Sequence, residues 1–370
     1  MTERRLMKTV FLAQEVYSRV GGIQRFNVRL VDALTEFANA DDQWSADVVI
    51  RRDSVRDIPA AASRVHIEGF DGSAARFSMA AIRSALSAQR MVIGHINLLP
   101  LGVLIKILRP RIRISLIAHG IEVWGDSSFR NYKWWEPMAL RYCVSRVLSV
   151  SEYTAQRLRQ CTSYPAAQLT IFPNVVDADS HWDEVLPSGV GTQLLTVTRL
   201  GGSEEKKRVD VVIAAVAELR KANVNVTLHV VGDGELRPVL AELAANLGVG
   251  SSVVFHGRVS DEQLNALYQA ADVFVLPSEK EGFGIVYLEA WKAGLPVVAA
   301  RATAVPEVID DGVDGILVDP VSPSTLSTAL GHLLSDGALR ARMVNEGRKK
   351  ILRKFNHAAF VKRLGVLLSD

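Results

Sequence analysis

Cysteine is nearly absent. The 370 residues include two, Cys143 and Cys161, which do not form a Cys-x-x-Cys pair. Neither a disulfide framework nor a zinc knuckle is expected. Long hydrophobic runs are missing too. The nearest approach, Gly102–Leu108 continued by Ile112–Ala118, is broken by Lys106, Arg109, Pro110, Arg111 and Arg113. A membrane-spanning helix needs about 18 apolar residues in a row. The segment Met1–Val10 is basic, but its apolar run is short and no small-residue cleavage site is clear. No secretory leader is expected, and the expected location is cytoplasmic. Neither charge dominates: 43 Lys and Arg stand against 40 Asp and Glu, a net +3. No basic block is dense enough to demand nucleic acid as a partner. Internal repeats and low-complexity tracts are also lacking.

What is present is an ordinary globular composition, 48% apolar and 22% charged. The length suits two domains of about 100–200 residues each. Short runs rich in Val, Ile and Leu recur at Thr9–Ala13, Asp47–Ile50, Met91–His95, Ile112–Ala118 and Arg146–Val150. They resume at Gln193–Thr198, Val224–Val231, Val253–His256, Asp272–Leu276 and Pro296–Ala300. Continuous apolar runs suit strands covered on both faces of a parallel sheet. Between them the period turns helical. Val209, Val212, Val216 and Leu219 form one stripe, and Leu264, Leu267 and Tyr268 another. Ser260 and Gln263 have capping-box spacing. The reading is α/β, with two doubly wound domains. Their boundary is placed near Asp179–Thr192, where Pro187, Gly189 and Gly191 interrupt periodicity. In such folds ligands bind beyond the carboxyl ends of the strands, so a cleft between the domains is the expected site.

The most informative segment is Leu276–Val298. It leaves a buried strand, turns through Gly282, Phe283 and Gly284, and enters a helix near Ile285 whose free N–H groups suit a phosphate. Glu281 and Glu289 flank that helix start, with seven residues between them. Carboxylates beside an anion site make sense as partners of neutral hydroxyls. This Glu-x7-Glu pattern resembles the retaining glycosyltransferases of the GT-B fold, family 4, also described as glycosyl transferases group 1. Four further phrases resemble the family in the same order: Pro173-Asn-Val-Val-Asp, Val230-Val-Gly-Asp-Gly-Glu-Leu, Val254-Phe-His-Gly-Arg-Val and Asp311-Gly-Val-Asp-Gly-Ile-Leu-Val.

The resemblance implies two Rossmann-like domains facing across a cleft. Residues 1–178 would be acceptor-side and 179–350 would bind the nucleotide sugar, with 351–370 a helix returning to the first domain. It implies transfer from a UDP- or GDP-linked sugar to a glycan, lipid-linked or small glycoside acceptor. No cofactor and no metal are expected. Arg199 and Lys207 resemble the cations that grip the donor diphosphate. Such cations stabilise a departing diphosphate more in the transition state than in the ground state. Lys206 competes with Lys207, and Arg208 stands where the family often has Gly. Gly21 and Gly22 resemble the loop that closes over the donor. His119 resembles the histidine beside the donor sugar, where a ring N–H or its carbonyl would act. Glu281 would hold sugar hydroxyls and Glu289 the ribose, with Arg258, Gly282, Phe283, Gly284 and Ile285 also on the donor. Eight helical residues span about 12 Å, too far for the paired carboxylates of a retaining glycosidase. Same-face attack, with the leaving phosphate taking the acceptor's proton, is therefore expected.

Each residue also has a plain structural reading: helix-start charge, strand-end cation, core histidine, turn glycine. Asp177-Ala-Asp179 has metal-like spacing but completes the Pro-Asn phrase, so it is not read as a metal site. Gly232-Asp-Gly234 lacks the third glycine of a dinucleotide fingerprint. In Arg301-Ala-Thr-Ala-Val-Pro-Glu, Thr303 and Ala304 replace a family Gly-Gly, and a different loop is expected there. Trp124, Tyr132, Trp134 and Trp135 are read as core before sugar-stacking. Lys106, Arg109, Arg111 and Arg113 leave peripheral contact with a membrane's inner face open beside a solvated face. A sugar-nucleotide epimerase and a non-catalytic binding homologue are the rival readings.

Overall fold

In the computed structural model, residues 7–19, 21–59, 64–127, 129–178, 182, 185, 192–202 and 204–369 are described. The chain divides into two compact units: Met1–Val175 with His357–Asp370, and Val176–Asn356. Most of the Ser180–Gly191 stretch expected as a linker lies outside the described residues, as does Asp179.

The first unit holds a parallel sheet of seven strands: β1 (Met7–Ala13), β2 (Trp44–Ile50), β3 (Val65–Gly69), β4 (Arg90–Ile93), β5 (Arg113–Ala118), β6 (Arg146–Ser149) and β7 (Leu169–Ile171). Their order is β3-β2-β1-β4-β5-β6-β7. The second unit has six parallel strands: β8 (Gln193–Val197), β9 (Thr227–Val231), β10 (Val253–Gly257), β11 (Val273–Leu276), β12 (Val297–Ala300) and β13 (Gly315–Val318), ordered β10-β9-β8-β11-β12-β13. The central strands are apolar on both faces because helices cover both. Val10, Leu12, Leu194, Val273 and Val275 are fully buried, each such side chain contributing about 1.5–3 kcal/mol.

The sequence rule finds ten strands, the nine inner ones and the edge strand β10, but passes over β3, β7 and β13. All three are edge strands. An edge strand has one neighbour and needs no continuous apolar run: Val65-His-Ile-Glu-Gly alternates, and Ile171 is exposed. The helix Val209–Lys221 buries the whole expected stripe. The helix Asp261–Ala270 buries only Tyr268 of its three, and its capping box forms. The chain ends in two helices, Gly337–Lys354 and His357–Ser369. The break follows Phe355, which packs edge-on to Phe283 in the second unit. Phe360, just beyond it, packs on Phe26 and Phe172 in the first. The two aromatics, on either side of the break, thus belong to different cores. No helix among the described residues is long and apolar enough to cross a membrane.

Candidate active site

In the second sheet the strand order reverses between β8 and β11, so the loops leaving their carboxyl ends lie side by side. The ladder between these strands covers only Leu194–Val273 and Leu195–Phe274. Beyond it the buried Thr196 hydroxyl donates to Val275 O at 2.6 Å. The loops then join. Lys207 Nζ lies 2.7 Å from Glu281 Oε1, their side chains only 16% and 12% exposed. Lys206 Nζ instead reaches Glu279 Oε2 at 3.2 Å and is 63% exposed. Arg208 pairs with Glu279 and Asp210. Burial opposes ionisation of Glu279, but hydrogen bonds and charge from Lys206 and Arg208 outweigh it and hold its pKa below the usual value. The two adjacent lysines are thus divided, one sheltered against Glu281 and one in solvent.

Arg199 leaves β8 at the same edge, its guanidinium 82% exposed and 2.6 Å from Glu204. The turn after β9 sets its backbone. Gly232 has φ +128°, and a Cβ there would sit 1.8 Å from Thr198 O. The glycine pair that fails as a dinucleotide fingerprint therefore lets this turn press on the Arg199 loop, where Leu200 N–H donates to Asp233 O.

After β11 the chain turns through Gly282 and the buried Phe283 into the helix Ile285–Ala293. Gly284 caps it at φ +88°, and a Cβ would meet the Tyr287 ring at 2.4 Å. Tyr287 donates to Leu276 O at 3.0 Å, tying the helix to the strand end. Its first-turn N–H groups, Ile285 among them, have no partner within the helix. Glu281 is held by the segment expected to differ. Thr303 adopts φ +48°, the left-handed conformation a glycine takes easily. Its hydroxyl accepts from Glu281 N at 3.0 Å, and Ala304 N donates to Glu281 O at 3.4 Å. The loop keeps the backbone shape expected only of glycine, and the threonine hydroxyl adds a bond glycine lacks. Arg208 likewise takes a left-handed φ of +57°. Glu289 faces elsewhere, with Tyr268 OH 3.4 Å from its Oε2. Arg258 is exposed after β10, the edge strand two removed from β8.

In the first unit the equivalent reversal lies between β1 and β4. Gly21 precedes the helix Gly22–Ala40 at φ 177°, extended backbone open to any residue. The buried Asp53 organises the preceding turn, accepting from Val16 N, Tyr17 N and Ser18 Oγ at 3.0, 2.6 and 2.6 Å. His119 follows β5. Its Nε2 lies 2.9 Å from Gly94 O, which only accepts, so Nε2 carries the proton. Phe26 packs edge-on at 5.1 Å. Burial is the main cause that lowers the His119 pKa to about 4, against the pull of Glu122. Glu122, itself buried, accepts from His119 N at 2.6 Å and Gly120 N at 3.1 Å. The imidazole is a neutral group whose ring N–H is already committed. Of the ring N–H and the carbonyl expected to act there, the ring N–H is engaged by Gly94 O. Trp124 is buried and donates to Thr154 Oγ1, whereas Trp134 is 87% exposed and stands outside the core expected for it. Among the described residues no three His, Cys, Asp or Glu side chains are grouped to hold a metal ion.

The family model described as Glycosyl transferases group 1 matches residues 189–350, and that described as Glycosyltransferase Family 4 matches residues 20–180. Between them they take in most of both units. The chain belongs to the group 1 glycosyltransferases. Among relatives of this group 1 chain, an uncharacterized glycosyltransferase of Methanocaldococcus jannaschii is 30% identical over 224 residues, 58% of this chain and 57% of the relative. The GDP-mannose-dependent alpha-(1-6)-phosphatidylinositol monomannoside mannosyltransferase of Mycolicibacterium smegmatis is 35% identical over 237 residues, 60% of this chain and 62% of the relative. Each match thus spans less than two thirds of the relative's length. The crystal structure of Anabaena HepE in complex with UDP and glucose superposes with a TM-score of 0.74 at 18% identity, covering 98% of this chain and 99% of that one. The fold is the two-domain, Rossmann-like GT-B fold.

Of the residues singled out in the sequence of this group 1 chain, Lys207 and Glu281 meet directly, while Arg199 pairs with Glu204, Glu289 lies beside Tyr268 and Arg258 is exposed. Sequence reasoning missed Glu279, Thr303, Glu122 and Asp53. Glu279 stood inside the Leu276–Val298 segment, yet its partners Lys206 and Arg208 lie on another loop, and Glu122 is held by backbone N–H groups. Thr303 carried a signal, a hydroxyl in place of glycine, that was read only as a loss of flexibility.

Proposed function

We propose that the protein is a retaining, metal-independent hexosyl transferase that moves a sugar from a UDP- or GDP-linked donor to a glycan, lipid-linked or small glycoside acceptor, in the cytoplasmic synthesis of surface polysaccharide or glycoconjugate. The observation that carries the reading is the sheltered Lys207–Glu281 pair at the reversal of the second sheet. Lys207 is a cation held in low dielectric, where charge developing on a departing diphosphate is best stabilised. Arg199, exposed on the neighbouring loop, would take a second phosphate oxygen. Glu281 gives one carboxylate oxygen to Lys207 and would accept sugar hydroxyls with the other. Glu289 would take the ribose, and the N–H groups at Ile285 the diphosphate. In the first unit the Gly21–Gly22 helix start and neutral His119 would take donor oxygens and hydroxyls. The GDP-mannose dependence of one relative and the UDP and glucose bound to HepE support a nucleotide-sugar donor.

The test is calorimetric titration with UDP, GDP, ADP and NAD in the presence of a chelator. Selective binding of UDP or GDP is expected, followed by an NMR assignment of the product anomer with retained configuration. No nucleotide binding by demonstrably folded protein overturns the donor reading. An altered free sugar formed without acceptor makes it an epimerase. A glycosyl-enzyme trapped on a carboxylate overturns same-face attack.

A further inference from the structure

Two helices of the first unit are apolar on the side away from the core. In Leu99–Leu108 the residues Leu104, Ile107 and Leu108 lie on one stripe and are 44%, 69% and 50% exposed. At and before Glu136–Cys143 the residues Trp134, Met138 and Tyr142 recur every fourth position and are 87%, 60% and 72% exposed. The two helices pack on each other. They join β4 to β5 and β5 to β6, so right-handed crossovers put both on one face of the sheet. Leu104, Ile107, Leu108, Trp134, Met138 and Tyr142 are thus six exposed apolar side chains on two neighbouring helices and the turn before one of them, more than singly scattered surface residues would give.

Its surroundings are rich in cations, of which Arg83 is paired with Glu68. Residues 72–121 contain six Arg and one Lys and no Asp or Glu, in a chain whose totals nearly balance. Arg111, Arg113, Lys133 and Arg141 are exposed. The carboxylate of the second helix, Glu136, is buried against Arg130.

We propose that this face docks the protein onto an anionic lipid bilayer. The apolar side chains would enter the head-group boundary with Trp134 and Tyr142 at the interface, and the cations would meet lipid phosphates. A second copy is a poorer occupant, because symmetric pairing would set the basic rims against each other. The inference does not rest on the donor reading.

The test is flotation of the full-length protein with phosphatidylcholine vesicles, with and without phosphatidylglycerol. Binding is expected only when phosphatidylglycerol is present, and salt should weaken it. Trp134→Ser and Ile107→Ser should each lower the partition coefficient about tenfold. Arg111→Ser should lower it roughly fivefold. All three side chains are exposed, so unchanged melting curves are expected. Equal binding to neutral vesicles, no binding, or variants that bind like wild type overturn the proposal. Lipid-free dimerisation abolished by Ile107→Ser also overturns it and assigns the face to a second copy.

Discussion

At the β1–β4 reversal Asp53, Glu122 and His119 are answered mainly by backbone, and the ion pair there joins Glu15 to Arg52. Asp53 takes two backbone N–H groups, Glu122 takes two more, and His119 gives its proton to a carbonyl. At the β8–β11 reversal charge answers charge: Lys206, Lys207 and Arg208 meet Glu279 and Glu281. The strand orders around the two reversals are alike, so topology alone does not set this chemistry. Topology brings two loops together at each sheet, and side-chain type then decides how the charges there are answered. A junction built around a neutral imidazole suits hydroxyl groups; one with three cations that hold their carboxylates nearby suits an anion attached to a sugar.

That contrast can be broken most sharply at Lys207. Lys207→Ala is expected to lower kcat about a hundredfold or more, with a smaller change in KM, whereas exposed Lys206→Ala stays within about twofold. Steady-state rates of donor turnover check both. Equal losses would dissolve the distinction between the sheltered and exposed lysines.

Gly232→Ala tests whether the ionic junction depends on backbone contact. A methyl pressed against Thr198 O at positive φ should cost about 3 kcal/mol, read by urea denaturation. A near-neutral result would show that the Arg199 loop can move aside.

The neutral junction should announce itself in acid. His119 titrates near 6.5 when unfolded and at about 4 when folded. The unfolded chain therefore binds more protons between these values, and stability falls as pH drops through that window. His119→Gln should flatten this segment of the stability profile relative to wild type, measured by denaturant midpoints at each pH. Identical slopes would mean that the ring is not held neutral.

The smallest effect is expected at Thr303. Thr303→Val removes the acceptor for Glu281 N–H and should reduce kcat/KM several-fold, about 1 kcal/mol, with melting unchanged. Rescue by Ser and not by Val would separate the hydroxyl from the strained backbone.

Much of the fold was legible because its signals are local. The capping box of Ser260 and Gln263 spans a single turn, and the stripe of Val209, Val212, Val216 and Leu219 lies within one helix. Central strands announce themselves by being apolar on both faces. Edge strands β3 and β7 do not, since one side needs no burial, and the break after Phe355 lies where Phe355 and Phe360 join different cores.

For the site, the sequence by itself determined the α/β class, the family phrases and the presence of cations and carboxylates at strand ends. Only the tertiary structure decided which lysine is sheltered, that Thr303 holds Glu281, that the Gly232 turn supports Arg199, and that Trp134 leaves the core. The physical reason is distance along the chain. Lys207 and Glu281 are 74 residues apart, and nothing in the local pattern of either encodes the other. Their meeting follows from β8 and β11 being neighbours, a property of the whole sheet.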